Sequence, residues 1–283
     1  MTLYPIPPGT RDVLPDERRE LRRLEAALLD VFASHGYGEV ATPAIEYDEL
    51  LAGGGERVAR SPYRFFDESG ELLALRSDMT VPIARLVATR FGDVEPPHRL
   101  SYVASAYRAV RPQRGQMREF SQAGVELIGT AGDEGTVEVI EVLEAALDAA
   151  GLERAVIGLG DADLYRQLLT DLGVEGEARD AVLARLASHD LVGLEAELSG
   201  QEGIDDDAVA TCVALSQLRG GREVLDEARG LGGDAVERAT ERLQQTYDEL
   251  DRRGAAERVQ IDLGLLRDLG YYSGAILEVY DPA

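Results

Sequence analysis

The residues in this chain best suited to chemistry lie between Tyr107 and Gly129, in the stretch YRAVRPQRGQMREFSQAGVELIG. Arginines at 108, 111, 114 and 118 gather positive charge within a chain whose formal net charge is −24. A guanidinium group stays charged and offers several N–H donors, so such an island can hold an anion. The same cluster can equally be the wet face of a hairpin. Gln122 and Glu126 follow it with an amide and an acid. Upstream, RSDMT brings an acid and a hydroxyl together in Asp78 and Thr80, residue types that also serve simply as first-turn caps of a helix. Downstream, LLRDLGYYSG sets Arg267 close to Tyr271 and Tyr272. Paired tyrosines after a glycine turn also suit the start of a strand, with one ring in the core and one at the surface.

Other chemistries find less support. Gly53-Gly54-Gly55 has no lysine after it and lacks the spacing of a phosphate-binding loop, so it reads as a flexible connection. Cys212 is the only cysteine, which excludes an internal disulfide and a cysteine zinc site, and His35, His98 and His189 are scattered. Asp205-Asp206-Asp207 lacks the glycine and glutamate of a calcium loop and, like Glu195 and Glu197, reads as solvated surface. Neither a metal nor a cofactor is expected.

The elements that must position these residues follow from periodicity. The stretch from Tyr107 to Gly129 predicts two antiparallel strands, one ending near Tyr107-Arg108 and the other running from about Arg118 to Ile128, because Pro112 and Gly115 break any continuous strand. Pro15 and Asp16 open a helix whose apolar face is Leu21, Leu24, Leu28 and Phe32, and Gly36 ends it. Val40-Ala41-Thr42 reads as a short strand stopped by Pro43. Tyr63 to Phe66 and Leu72 to Leu75 form a hairpin turning near Gly70. Ser77 or Asp78 starts a helix that packs Val81, Ile83, Ala84, Leu86 and Val87 onto the sheet. Asp133 to Ala149 is amphipathic, with Val137, Ile140, Leu143 and Leu147 on one face, and Ala155 to Gly160 is a buried strand. From Leu164 to about Gly254 only helical patterns appear, with Cys212 on an apolar face, and strands resume at Val259 to Leu263. The expected class is α+β, an antiparallel sheet flanked by helices with an inserted helical subdomain: residues 1–163 as the first part of the core, 164–255 as the insertion, and 256–283 as the return to the core sheet.

The order of residues carries a resemblance. An Arg on one strand, Arg-Pro-Gln-x-Gly in the loop, then Arg-Glu-Phe-x-Gln and a later Glu resemble motif 2 of class II aminoacyl-tRNA synthetases in their histidyl form. The resemblance implies that Arg108 matches the α-phosphate clamp and that Gln122 and Glu126 match the pair surrounding bound histidine. It implies an adenine-contacting acid where Val110 stands, and a second loop arginine for the terminal phosphates where Gln116 stands, with Arg111 and Arg114 left as a candidate anion-binding loop. Arg76-x-Asp78-x-Thr80 matches the segment whose acid and threonine hold the histidine α-amine, and Asp-Met-Thr-x-Pro-Ile-Ala-Arg-Leu is closer to the catalytically silent relatives of these enzymes. Arg267, Tyr271 and Tyr272 match the histidine-specific motif, with Gly270 in place of its usual Asp. Gly9-Thr10-Arg11-Asp12 matches the family's start, and Pro43 with Glu46 resembles motif 1, which implies a dimer. Motif 3 and an anticodon-binding domain are expected after Glu278, and the sequence reaches Ala283 without them.

The candidate histidine-binding set is therefore Asp78, Thr80, Arg108, Gln122, Glu126, Arg267, Tyr271 and Tyr272. Similarity runs from Gly9 to Tyr272 and points to the regulatory subunits of ATP phosphoribosyltransferase, synthetase paralogues without aminoacylation. That family implies a short-form catalytic subunit as partner, free histidine as effector, and a role in the first step of histidine biosynthesis and its feedback inhibition. A histidyl-tRNA synthetase core and a histidine-binding module for another partner are the alternatives. No apolar run approaches the ~18 residues of a membrane span, and the N-terminus lacks the basic and apolar regions of a secretory signal, so a cytoplasmic protein is expected. The 29 basic residues are all arginine, against 53 acids, and so acidic a surface repels polyanions outside the hairpin. Filter binding with tRNA at physiological salt is accordingly expected to stay at background, because few phosphates can be neutralised; a micromolar complex that weakens steeply with salt would contradict this.

Overall fold

The computed structural model describes residues 5–53, 62–110, 116–130, 132–266 and 273–281. Gly54, Gly55, Arg111, Arg114, Arg267, Tyr271 and Tyr272 lie outside the described residues. Two compact units make up the chain, Met1–Ala131 with Glu141–Gly151, and Gly132–Ile140 with Leu152–Ala283.

The first unit opens with α1 (Pro15–Ser34), which has proline in its first turn together with Asp16 and Glu17, all favourable at a helix N-terminus. Then come β1 (Gly38–Glu39), β2 (Ile45–Tyr47), α2 (Asp48–Gly53), β3 (Arg64–Phe66), β4 (Leu72–Leu75), α3 (Thr80–Arg90), β5 (His98–Tyr107) and β6 (Glu119–Ile128), followed by α4 (Asp133–Ala149). β5 and β6 pair antiparallel over ten residues each, and β1 joins β5 in parallel. β2, β4 and β3 form a second antiparallel sheet.

Alternation along β6 sorts its side chains. Val125 and Leu127 pack with Phe32 and Tyr37 and with Val142 and Ala146 from the later part of α4. On the other face Leu100, Tyr102 and Ile128 pack with Met79, Ile83 and Val87 of the α3 segment. The hairpin is therefore covered on both sides, as two-residue periodicity requires of a strand apolar on each face.

Three expectations need correction. The strand predicted at Val40-Ala41-Thr42 is formed by Gly38–Glu39 instead. Val40 still donates to Ser101 O at 2.9 Å, but the carbonyls of Thr42 and Pro43 accept from the buried Arg76 guanidinium at 2.8 and 3.3 Å, which draws the chain off the sheet. Helix α3 starts at Thr80 rather than at Ser77 or Asp78, because Asp78 Oδ1 accepts from Thr80 N at 3.0 Å and closes a local turn first. The stretch from Leu164 to Gly254 is not free of strand either, since Arg219–Gly220 pairs with a later strand.

In the second unit β7 (Val156–Asp161) is followed by α5 (Leu164–Asp171), α6 (Gly176–Ala187), α7 (Leu191–Ser199), α8 (Asp206–Gln217), β8 (Arg219–Gly220), α9 (Glu223–Leu231), α10 (Asp234–Arg253), β9 (Val259–Asp262) and β10 (Ala275–Tyr280). The sheet order is β10-β7-β9-β8. Asp205 caps α8, accepting from Ala208 N at 2.8 Å, and Cys212 is buried on α8 with its thiol pushed up to about 11 by burial. Asp262, at the end of β9, accepts from Arg219 Nε at 2.7 Å, from Gly264 N at 3.0 Å and from Tyr280 OH at 3.2 Å. β9 and β10, which flank residues 267–272 in sequence, each pair with β7, and Tyr280 of β10 reaches Asp262 of β9. Among the described residues no helix is long and apolar enough to cross a membrane.

In the first unit Arg85 of α3 forks onto Glu46 of β2, with Nε to Oε2 at 2.9 Å and Nη2 to Oε1 at 2.8 Å, while Glu46 is 7% exposed. Removing the arginine strands a buried carboxylate, so Arg85→Ala is expected to cost about 2–4 kcal/mol by denaturant unfolding. Arg252→Ala, which breaks the exposed pair with Glu249, should cost no more than about 1 kcal/mol. Equal losses would show that the buried pair holds nothing together.

Candidate functional site

The register of β5 with β6 builds the site. Leu100 stands opposite Glu126, Tyr102 opposite Gly124, and Ala104 opposite Gln122, so Gln122, Gly124 and Glu126 share one face at alternate positions. The turn before α3 reaches this face because Met79, fully buried, anchors it among Ile83, Leu100 and Tyr102. Thr80 Oγ1 consequently donates to Glu126 Oε1 at 2.9 Å, and Asp78, 4% exposed, accepts from Thr80 N. Gln122 Nε2 donates to the Tyr102 hydroxyl at 3.1 Å.

Two carboxylates are thus held close together with little water. The Glu126 carboxyl is pushed up from its ordinary 4.5 to about 7, first by burial and then by the nearby Asp78 charge, with the Thr80 hydrogen bond opposing both. A ligand cation reverses that balance, since an opposite charge favours the ionised acid. The arrangement suits an ammonium or a protonated ring bearing N–H donors.

Two arginines of the island, Arg108 and Arg118, lie among the described residues. Arg118 donates from Nε to Val110 O at 2.9 Å, while its backbone N–H meets Gly9 O at 2.6 Å. The guanidinium braces the hairpin's mouth and the backbone N–H holds the N-terminal arm, so Arg118 is structural. Arg108 lies over the Phe120 ring at 4.6 Å, on the same strand face as Gln122, a stacking that orients its guanidinium plane.

The structure therefore brings Asp78, Thr80, Gln122 and Glu126 together and sets Arg108 along the same face; Arg111, Arg114, Arg267, Tyr271 and Tyr272 fall outside the described residues. Sequence reasoning missed Tyr102 and Gly124. A glycine inside a strand signals a close approach of another group, and its cross-strand partner is Tyr102. Arg76 was quoted only as part of a motif and proves to be a brace, donating from Nε to Ser105 O at 2.8 Å as well as to Thr42 and Pro43. Among the described residues no group of three or more His, Cys, Asp or Glu side chains is placed to hold a metal ion.

A long antiparallel hairpin with Arg, Gln and Glu on one face, met by an acid and a threonine at a helix start, defines a class II synthetase-like protein of the histidyl type. The sequence profile of the histidyl-tRNA synthetase family matches residues 9–283. A crystal structure described as an ATP phosphoribosyltransferase regulatory subunit/histidyl-tRNA synthetase from Bacillus halodurans superimposes with a TM-score of 0.87 at 32% identity, covering 100% of this chain and 74% of that one. The ATP phosphoribosyltransferase regulatory subunit of Moorella thermoacetica is 42% identical over 281 residues, 98% of this chain and 72% of the relative. That of Symbiobacterium thermophilum is 40% identical over 285 residues, 100% of this chain and 71% of the relative. The chain belongs to the family of ATP phosphoribosyltransferase regulatory subunits.

The raised Glu126 carboxyl has a thermodynamic consequence. Between about pH 4.5 and 7 the folded protein holds a proton here that the unfolded chain has lost, so this group's contribution to stability falls as pH rises through that window. Glu126→Gln keeps an acceptor for Thr80 and removes the charge. The variant should match wild type near pH 4.5 and exceed it at pH 8 by up to about 3 kcal/mol in urea unfolding. A difference independent of pH would contradict the assignment.

Proposed function

We propose that this chain is the non-catalytic regulatory subunit of an ATP phosphoribosyltransferase: it binds the short-form catalytic subunit, is required for the first step of histidine biosynthesis, and helps free histidine inhibit that step. The family membership supports the subunit role. The observation that carries the histidine part is one face on which Asp78, Thr80, Gln122 and Glu126 converge, while the positions implied for ATP contacts carry Val110 and Gln116.

Val110 has no polar side-chain atom for an adenine amine, and Gln116 has no charge for a terminal phosphate. Without these preorganised partners the charge that develops on ATP during adenylate formation is poorly stabilised. A synthetase core is the rival reading, favoured by the profile match and by Arg108. The two replaced contacts and the net charge of −24, ill suited to holding tRNA, weigh against it.

Self-association through the class II core belongs to the same proposal. Ile45, Tyr47 and Phe65 lie on one face of the β2-β4-β3 sheet by register, at 46%, 54% and 37% exposure, and contiguous apolar surface of this kind is commonly covered in an assembly. The chemistry proposed here is that of the cytoplasm and involves neither tRNA nor a membrane.

Two measurements test the reading. Histidine-dependent pyrophosphate exchange should not rise above background, and clear exchange would favour the synthetase. Calorimetric titration with L-histidine should give binding to wild type, weakened about ten- to a hundredfold in Glu126→Ala because a charged partner is lost. Unchanged affinity in a variant with a matched unfolding midpoint would make the pocket a relic.

A further inference from the structure

Tyr102 faces Gly124 across the β5–β6 register and is 4% exposed. A methyl group on residue 124 would lie 2.6 Å from the Tyr102 hydroxyl oxygen and 2.9 Å from Cζ. Only glycine leaves room for the phenol to cross the strand there. Residue 124 also separates Gln122 from Glu126, so the gap it leaves in the polar row is where the hydroxyl is received. From that seat the hydroxyl accepts from Gln122 Nε2 at 3.1 Å.

A carboxamide has donors on one end and acceptors on the other, so committing Nε2 also commits Oε1. Gln122 Oε1 is buried and has no hydrogen-bond partner among the described residues. Buried amide oxygens are rarely left that way, and one that is marks a demand for an N–H or O–H that a ligand can meet.

We propose that Tyr102 is a positioning residue of this pocket: seated against Gly124, its hydroxyl holds the Gln122 amide with Oε1 turned to the ligand, selecting a ligand N–H donor at that point. The inference rests on the histidine reading above and deepens it by naming what sets the pocket's polarity. With Oε1 outward, Gln122, Glu126 and Asp78 all contribute acceptors, which matches an amino acid whose ammonium and ring both carry N–H. With the amide reversed, Gln122 would present its NH₂ group to the same cation and repel it. The backbone register alone does not choose between these orientations. In the structure the phenol hydroxyl takes Nε2, and the fully buried Met79 and the half-buried Ala104 pack with Tyr102 and keep the ring in place.

The test is calorimetric titration of L-histidine into wild type, Tyr102→Phe, Gln122→Met and the double variant. Tyr102→Phe keeps the ring and its packing, and should weaken binding about tenfold by releasing the amide. Gln122→Met should weaken it at least as much. If Tyr102 acts through Gln122, the double variant binds as Gln122→Met does. Losses that simply add would overturn the inference, because a merely structural tyrosine weakens binding whatever stands at 122. Gln122→Glu tests the orientation without touching Tyr102: it keeps an oxygen toward the ligand and should bind histidine at least as tightly as wild type. A loss of tenfold or more there would mean that the ligand brings an acceptor, and would overturn the proposal even if Tyr102→Phe failed to fold. Wild type that does not bind histidine at all would overturn the pocket reading and this inference with it, a pattern distinct from wild-type binding with additive variants.

Discussion

The continuous pairing of β5 with β6 is the constraint on which the first unit depends. Because side chains alternate from face to face, one register decides everything at once: Val125 and Leu127 go to the α1 side, and Gln122, Gly124 and Glu126 to the side of α3. A slip of one residue would bury Ser121 and Ala123 against α3 and turn both polar ligands away from it. The helices that clamp the hairpin therefore do more than cover apolar surface. Met79 locks the turn before α3 against Leu100 and Tyr102, and the hydrogen bond from Thr80 to Glu126 follows from that lock.

Electrostatics gives the site its character. Two acids share a largely dry face, and one is forced toward neutrality by burial and by the other's charge. A fold does not keep such an arrangement for stability, since an apolar pair of similar size would cost less. It suits a cation that arrives and leaves. At the hairpin's mouth the opposite economy applies: Arg118, one of the four arginines that suggest anion binding, satisfies backbone carbonyls instead. The acceptor-bearing side chains of Gln122 and Glu126 stay on the α3 face of the hairpin while Arg118 serves as scaffold at its mouth.

Much of this was legible in the sequence, and the misses have physical causes. The hairpin, α1, α4 and the β3–β4 turn were marked by strong periodicity and by Pro or Gly at their ends. Asp78, Thr80, Gln122 and Glu126 were named from ordered motifs, and the structure brings them onto one face. The strand near Val40 was misplaced because Arg76, distant in sequence, captures the carbonyls of Thr42 and Pro43. The short strand at Arg219 was invisible because two residues carry no periodicity, and its position depends on Asp262. Tyr102 was overlooked for a similar reason: its role exists only across a strand pair, opposite a glycine whose lack of a side chain is the signal. Whether an arginine faces a ligand or its own backbone is likewise a matter of tertiary contact.

The central claim is that this chain confers both activity and histidine control on a separate catalytic chain. It is tested most directly by assaying a short-form ATP phosphoribosyltransferase catalytic subunit, alone and with this protein added, across a histidine titration. The account predicts little turnover alone, turnover that rises and saturates as this protein is added, and inhibition by histidine in the complex that is blunted when Glu126 is replaced by alanine. Catalytic activity indifferent to this protein, with no complex detectable at micromolar concentrations, would contradict it.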